Sequence, residues 1–412
     1  MQNRPFGIDA FTKNIIIVFA GTSLANFLNL LYQLLIAHKL STQEFAAFNS
    51  LLALFTIFSA PLGTLTVAVA KYSAGFNAHN EPAKIKFFIS DLFKKGSVLA
   101  IATFFIFLFF SIKTLDALKI PSLASGYILA LLLASMWLVS IFTGAIQGLE
   151  RFNWMTSVMV GAGILKLIAA FILILLGYSI AGALGAFLIV NILMIVVFYL
   201  PLKQFISLKA ERQDINYKEI LTFLLPVAIT YFCYYALVSF DMVLVKYYFS
   251  QSDSGLYSLA QMLGKIFLFL PGAISIVLLP RASGLHAKNM DTLQTLKKSL
   301  LYAGILCVIA CLGYNLLPSF TLKVLTGKSY LESIFLGRLF SLSMSFFALL
   351  LVMITYFLSK KDLRFIKYLA FFTVLQFLAI ALFHQSLVQV QVIMCINAIL
   401  LFIIHLALLK RR

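Results

Sequence analysis

Residues 256–273 read LYSLAQMLGKIFLFLPGA, a run long and apolar enough to cross a bilayer core of roughly 30 Å as a helix, except that Lys265 sits inside it. The composition around it settles which solvent the run meets. Of 412 residues, 62% are hydrophobic and 11% charged, against about 45–50% and about 25% in soluble domains. Comparable stretches recur along the whole chain, at 15–37, 45–70, 95–112, 124–147, 154–176, 180–200, 219–245, 255–279, 299–317, 334–358, 364–384 and 387–408. The expectation is an all-α polytopic membrane protein with twelve transmembrane helices.

With the N-terminus placed inside, the inner segments collect most of the 32 Lys and Arg residues, so the positive-inside bias puts both termini in the cytoplasm. Much of the +18 net charge is therefore topological. No folded soluble face carries it, and no nucleic-acid partner is expected. The first apolar run is long enough to span and is expected to remain as helix one rather than be cleaved as a signal. Cys233, Cys307, Cys311 and Cys395 all fall within spans. Cys307 and Cys311 lie one turn apart with no histidine or carboxylate on that face, which reads as packing, with no disulfide, metal site or other cofactor.

The longest connections, 71–94, 201–218 and 280–298, are cytoplasmic on this topology, and the outer ones are mostly short. A membrane-embedded glycan polymerase or ligase would need a sizeable outer loop for its catalytic groups; Arg338 and His384 are the obvious outer candidates, and neither sits in one. The chain therefore reads as a non-enzyme. TGKS at 326–329 resembles the tail of a phosphate-binding loop, but Leu322 stands where that motif needs its first glycine. With no nucleotide-binding domain, any energy must come from the membrane potential or an ion gradient, H+ and Na+ being the candidate coupling ions.

An internal repeat organises the rest. LSTQEFAAFNSLLALFTIFSAPLG from Leu40 aligns with FSQSDSGLYSLAQMLGKIFLFLPG from Phe249. Ser41 matches Ser250 and Glu44 matches Asp253; after one indel, Pro61 matches Pro271 and Lys71 matches Arg281. Six spans per half entering from the same side make the repeats parallel, giving pseudo-symmetric lobes at 1–205 and 206–412 with a binding cavity expected between the bundles. Matched prolines inside spans suggest paired hinges at Pro61 and Pro271; the alternative is that prolines are simply commoner in membrane helices. Gly144 and Gly148 form a small-xxx-small pair, read as a helix contact.

Lys265 is 12 residues from Asp253 and 16 from Arg281, about 18 Å and about 24 Å along a helix at 1.5 Å rise, too deep to snorkel easily. Lys166 is similarly placed between Trp154 and Leu176. Facing lipid, each would cost roughly 2.5–3.5 kcal/mol or more, so both must face protein or water. Apart from Glu219 at the very edge of its span, Asp241 is the one acidic residue within the twelve spans, so deep carboxylates cannot pair both lysines. The reading is that Lys166 and Lys265 line a hydrated cavity that receives an anion, against a purely structural role for each. Asp241 is read as a structural partner or a proton carrier. Thr22, Asn26, Asn29 and Gln33 share one face of helix one, and Ser258, Gln261 and Lys265 repeat the pattern on helix eight. Such faces either glue helices or line water. Tyr231, Tyr234 and Tyr235 offer stacking surfaces for sugars or ordinary aromatic packing. Lys71 and Arg281 are candidate attractants at the cytoplasmic mouth, or topological anchors.

The stretches GTSLANFLNLLYQLLIAHKLSTQEFAAFNSLLALFTIFSAPLGTLTVAVAKYSAG (21–75) and FDMVLVKYYFSQSDSGLYSLAQMLGKIFLFLPGAISIVLLPRASG (240–284) carry a resemblance to bacterial oligosaccharide flippases of the Wzx type. Their superfamily also holds multidrug exporters of the MATE class and the lipid II flippase MurJ. The resemblance implies two six-helix lobes in a MATE-like V, and a cationic cavity that takes an undecaprenyl-diphosphate-linked oligosaccharide by its diphosphate and sugars. It implies alternating access in the inner membrane, serving O-antigen, capsule or exopolysaccharide biosynthesis, with membrane lipids and other polysaccharide assembly proteins as partners. Two departures help to place the chain: MATE exporters typically carry an acidic residue in helix one, where this chain offers Asn26 and Asn29, and MurJ has fourteen helices. The rival within transport is an ion-coupled exporter of small cations, which would want carboxylates where this chain has lysines.

Overall fold

A computed structural model describes residues 10–206, 211–287 and 290–410. Among these residues the chain is helical throughout, with no strand. In the N-terminal part lie α1 (Ala10–Lys39), α2 (Thr42–Ala78), α3 (Pro82–Ala117), α4 (Leu123–Gly148), α5 (Phe152–Leu175) and α6 (Ser179–Leu202). They are followed by α7 (Tyr217–Tyr248), α8 (Gln251–Ala287), α9 (Leu293–Leu316), α10 (Pro318–Thr326), α11 (Leu331–Ser359), α12 (Ile366–Leu382) and α13 (Leu387–Lys410). Ten of these are long and apolar enough to cross a membrane. The expected spans at 255–279 and 364–384 fall on α8 and on the 17-residue apolar helix α12, which are not among the ten.

One expectation about connections is corrected. The stretch 71–94 is not a loop: α2 runs on to Ala78, α3 begins at Pro82, and three residues join them. Lysines and acids such as Lys84, Glu81, Lys95 and Asp91 form i,i+3 and i,i+4 pairs that keep the polar continuation helical. A further short helix, α10, follows α9. Pro318 sits at its first turn, where the missing N–H costs nothing. Gly327, at φ 71°, ends it and donates its N–H to Lys323 O. That left-handed cap, not a phosphate, is what the glycine of TGKS serves.

The repeat shows itself as a shared device. At the start of α2, Ser41 N–H donates to Glu44 Oε2 (2.9 Å) and Glu44 N–H to Ser41 Oγ (3.2 Å). Before α8, Asp253 N–H donates to Ser250 Oγ (3.1 Å) and the Ser250 hydroxyl to Asp253 Oδ2 (2.8 Å). Each Ser-x-x-acid pair matched in sequence is thus a helix-start capping arrangement.

The chain divides into two compact units. Unit 1 comprises 1–39, 62–116 and 120–224; unit 2 comprises 40–61, 117–119 and 225–412. The division cuts α2 between Pro61 and Leu62, and α7 between Leu224 and Leu225, next to Pro226. In unit 1, α5 packs on α1 and α6, and α4 on α6. Gly144 and Gly148 let α4 approach α2: a Cβ at either would lie 2.5 Å from Thr66 O or 2.6 Å from Ala70 O. In unit 2, α11 is the central helix, packed against α8, α9 and α13, with Phe340, Met344, Phe347, Leu350 and Met353 fully buried.

Candidate functional site

Unit 1 brings Lys166 of α5 together with Asn29 of α1. Gly163, one turn before Lys166, allows the approach, since a Cβ there would meet Leu28 at 2.9 Å. The Lys166 ammonium donates to Asn29 Oδ1. It also lies over two rings, 4.7 Å from the centroid of Tyr32 and 4.1 Å from that of Phe187. The rings meet edge to face at 5.0 Å, and the Tyr32 hydroxyl is fixed by donation to Ala183 O at 2.8 Å. Lys166 is only 5% exposed, and no carboxylate pairs with it among the described residues. An amide oxygen and two aromatic faces stand in for water around a full positive charge. Asn29 and Asn26 are exposed and Gln33 is half-buried.

Unit 2 places Lys265 of α8 half-buried and within electrostatic reach of Asp241 on α7. Asp241 is fully buried. It accepts from the Tyr257 hydroxyl (2.8 Å) and from Gln261 Nε2 (3.1 and 3.0 Å to its two oxygens). The Tyr257 hydroxyl also lies 3.1 Å from Gln391 Oε1, and Gln391 Nε2 donates to Ser343 Oγ at 2.8 Å. The network thereby ties α7, α8, α11 and α13. Gln261 Oε1 is buried with no hydrogen-bond partner among the described residues.

The aromatic trio splits. Tyr234 is buried and donates to Phe347 O at 3.2 Å, a packing role, whereas Tyr231 and Tyr235 are half-buried with centroids 6.4 Å apart. Lys71 is exposed, 5.3 Å over the Tyr72 ring, whose hydroxyl donates to Glu219 at 3.2 Å. Pro61 lies within α2. Pro271 and Arg281 lie in α8, outside the residues whose side chains are described. Sequence reasoning missed Tyr32, Phe187, Tyr257, Gln391 and Ser343. A signal existed for two of them: Tyr32 follows Asn29 by one turn, and Tyr257 precedes Gln261 by one.

A model of the family described as "Polysaccharide biosynthesis protein" matches residues 11–286. The chain belongs to that family. Within solved structures, this family member is similar to an inward-facing multidrug resistance MATE family transporter of the MOP superfamily, with TM-score 0.75 at 13% identity over 96% of this chain and 98% of that one. It is also similar to the lipid II flippase MurJ in an inward closed conformation, with TM-score 0.73 at 16% identity over 96% and 87%. A MOP superfamily transporter from Pyrococcus furiosus, described as having a binding pocket of reverse polarity, gives TM-score 0.61 at 15% identity over 96% and 94%. No curated protein matches by sequence. At these identities the likeness shows the fold, which is that of MATE and MurJ transporters. Together with the ten apolar helices, the fold makes this member of the polysaccharide biosynthesis family a multi-pass membrane protein.

Proposed function

We propose that the protein turns an undecaprenyl-diphosphate-linked oligosaccharide from the cytoplasmic to the outer leaflet of the inner membrane by alternating access, for surface polysaccharide assembly. The observation that carries this reading is the caged ammonium of Lys166. A buried cation with no carboxylate partner among the described residues is an incomplete charge pair, and a diphosphate would complete it. Cation–π contacts contribute about 0.5–2 kcal/mol each, less than a charge-assisted bond to phosphate, which is roughly twice as strong as a neutral hydrogen bond. An arriving phosphate oxygen would therefore displace the Asn29 amide or share the ammonium with it. Asn29 is exposed beside Lys166 and marks the approach. A doubly charged head group faces a prohibitive cost in hydrocarbon, and a fixed cation lowers it.

Lys265, with Gln261 beside it and Asp241 as counter-charge, is the proposed second contact. Asn26 and Gln33 extend the polar face toward sugars, and Lys71 and Arg281 gather the anion at the cytoplasmic side. The sequence halves 1–205 and 206–412 are the proposed moving lobes, with bending at Pro61 and Pro271. The test is deletion of the gene in its host, with complementation by the parent, Lys166→Ala or Lys265→Ala. Loss of surface glycan with lipid-linked units accumulating inside supports the flippase. Normal glycan with both variants removes the role given to the lysines, and altered drug susceptibility with unchanged glycan favours the exporter.

A further inference from the structure

α10 has two unlike sides. Leu322 and Thr326 are fully buried, and the helix packs on α8, α9 and α11. The Thr326 hydroxyl is within bonding distance of Leu322 O (2.8 Å) and Lys328 O (3.0 Å), which holds the end of the helix closed. The other side presents Phe320 and Val324, 65% and 53% exposed, with exposed Lys323 between them. The flanking residues repeat the pattern: Leu316, Leu317 and Leu331 are 77%, 59% and 83% exposed. In water so many large apolar side chains in 16 residues would mark an aggregation site. Here the stripe continues the exposed apolar face of α9, formed by Ile305, Val308, Ile309 and Leu312, a helix long and apolar enough to cross the membrane. What covers α9 also reaches α10, and lipid is what a membrane helix of this kind exposes its leucines to.

The helix cannot itself span. At nine residues and 1.5 Å rise it is about 13 Å long, and it ends in a left-handed cap. A short helix with one apolar side and a lysine among the apolar residues fits the boundary between acyl chains and head groups, where the lysine stem lies along the apolar surface and the ammonium meets phosphate. We propose that α10 is an interfacial helix seated in the outer leaflet, with Phe320 and Val324 among the upper acyl carbons and Lys323 at the lipid phosphates. It fixes the depth at which the outer ends of α9 and α11 meet the head groups, and its partner is phospholipid rather than protein.

The test uses the full chain in phosphatidylcholine vesicles whose acyl chains carry bromine either near the head group, at carbons 6 and 7, or deeper, at carbons 11 and 12. A tryptophan is placed by Phe320→Trp, and its emission is taken as the difference from the parent, which has two tryptophans. The expected result is blue-shifted emission, quenched at least twofold more by the shallow bromines than by the deep ones. Val324→Trp should give the same order, so poor folding of one variant leaves the other to decide. Emission that neither lipid quenches, whether at the wavelength of water exposure or blue-shifted by a covering protein or second copy, overturns the proposal. Stronger quenching by the deep bromines overturns it as well, by placing the helix in the bilayer core.

Discussion

Units 1 and 2 each hold a lysine deep in an apolar helix and satisfy it by opposite means. In unit 1 the Lys166 ammonium has an amide oxygen and two ring faces, so the local charge stays at plus one. In unit 2 the Lys265 ammonium has Asp241 within electrostatic reach, so an opposite charge partly offsets it. The difference teaches that two lysines alike in sequence depth are not alike as anion sites. An incoming phosphate gains most at the uncompensated lysine. At the other it must compete with a carboxylate that Tyr257 and Gln261 hold in place.

The comparison can be broken most forcefully at Asp241. Asp241→Ala leaves Lys265 without its counter-charge and cuts the tie to Tyr257 and Gln261. Leaving the buried Tyr257 hydroxyl and Gln261 amide without their acceptor costs about 1–3 kcal/mol each, and the purified variant should show a large drop in thermal midpoint. Asp241→Ala with Lys265→Met should recover part of that drop; no recovery would mean that the two groups do not compensate each other. Next in size is Lys166→Met, which keeps the bulk and removes the charge. Transport should fall by about 30-fold or more, on the scale of about 2 kcal/mol or more for a lost desolvated charge contact, while thermal stability changes little or rises. A Lys166→Met protein that loses stability but keeps transport would reduce the cage to a structural contact.

Smaller effects sharpen the cage itself. Phe187→Leu removes one ring face and should lower transport by a few-fold, in line with about 1 kcal/mol for a cation–π contact. Tyr32→Phe keeps the ring but loses the bond to Ala183 O, a net effect of about 1 kcal/mol on stability, with transport close to the parent. If Tyr32→Phe impairs transport more than Phe187→Leu, the hydroxyl rather than the ring faces governs Lys166.

The helices were legible because apolar length is a strong signal: each expected span falls on a helix, and the repeat pairs Ser41 with Glu44 and Ser250 with Asp253 as real capping contacts. α10 was hidden because nine amphipathic residues between two spans have the length and polarity of a loop. In the site, Asn29 was legible as part of a polar face, but nothing in linear sequence says which neighbouring helix that face meets. Tyr32 and Phe187 read as ordinary apolar positions, because a ring that packs and a ring that holds a cation look the same until the cation is placed. The interrupted membership of α2 was likewise illegible, since a helix keeps its period while its neighbours change.

That interruption has a consequence for any attempt to cut the polypeptide in two. Residues 40–61 and 117–119, although early in the chain, are counted among the parts of unit 2. A C-terminal fragment beginning near residue 211 would lack the strand of chain that seats Thr42 against Gly255 and offers Leu40 O to Lys328. Co-produced halves should therefore reassemble only when that donated piece is present in the other fragment, and the C-terminal half made alone should be degraded.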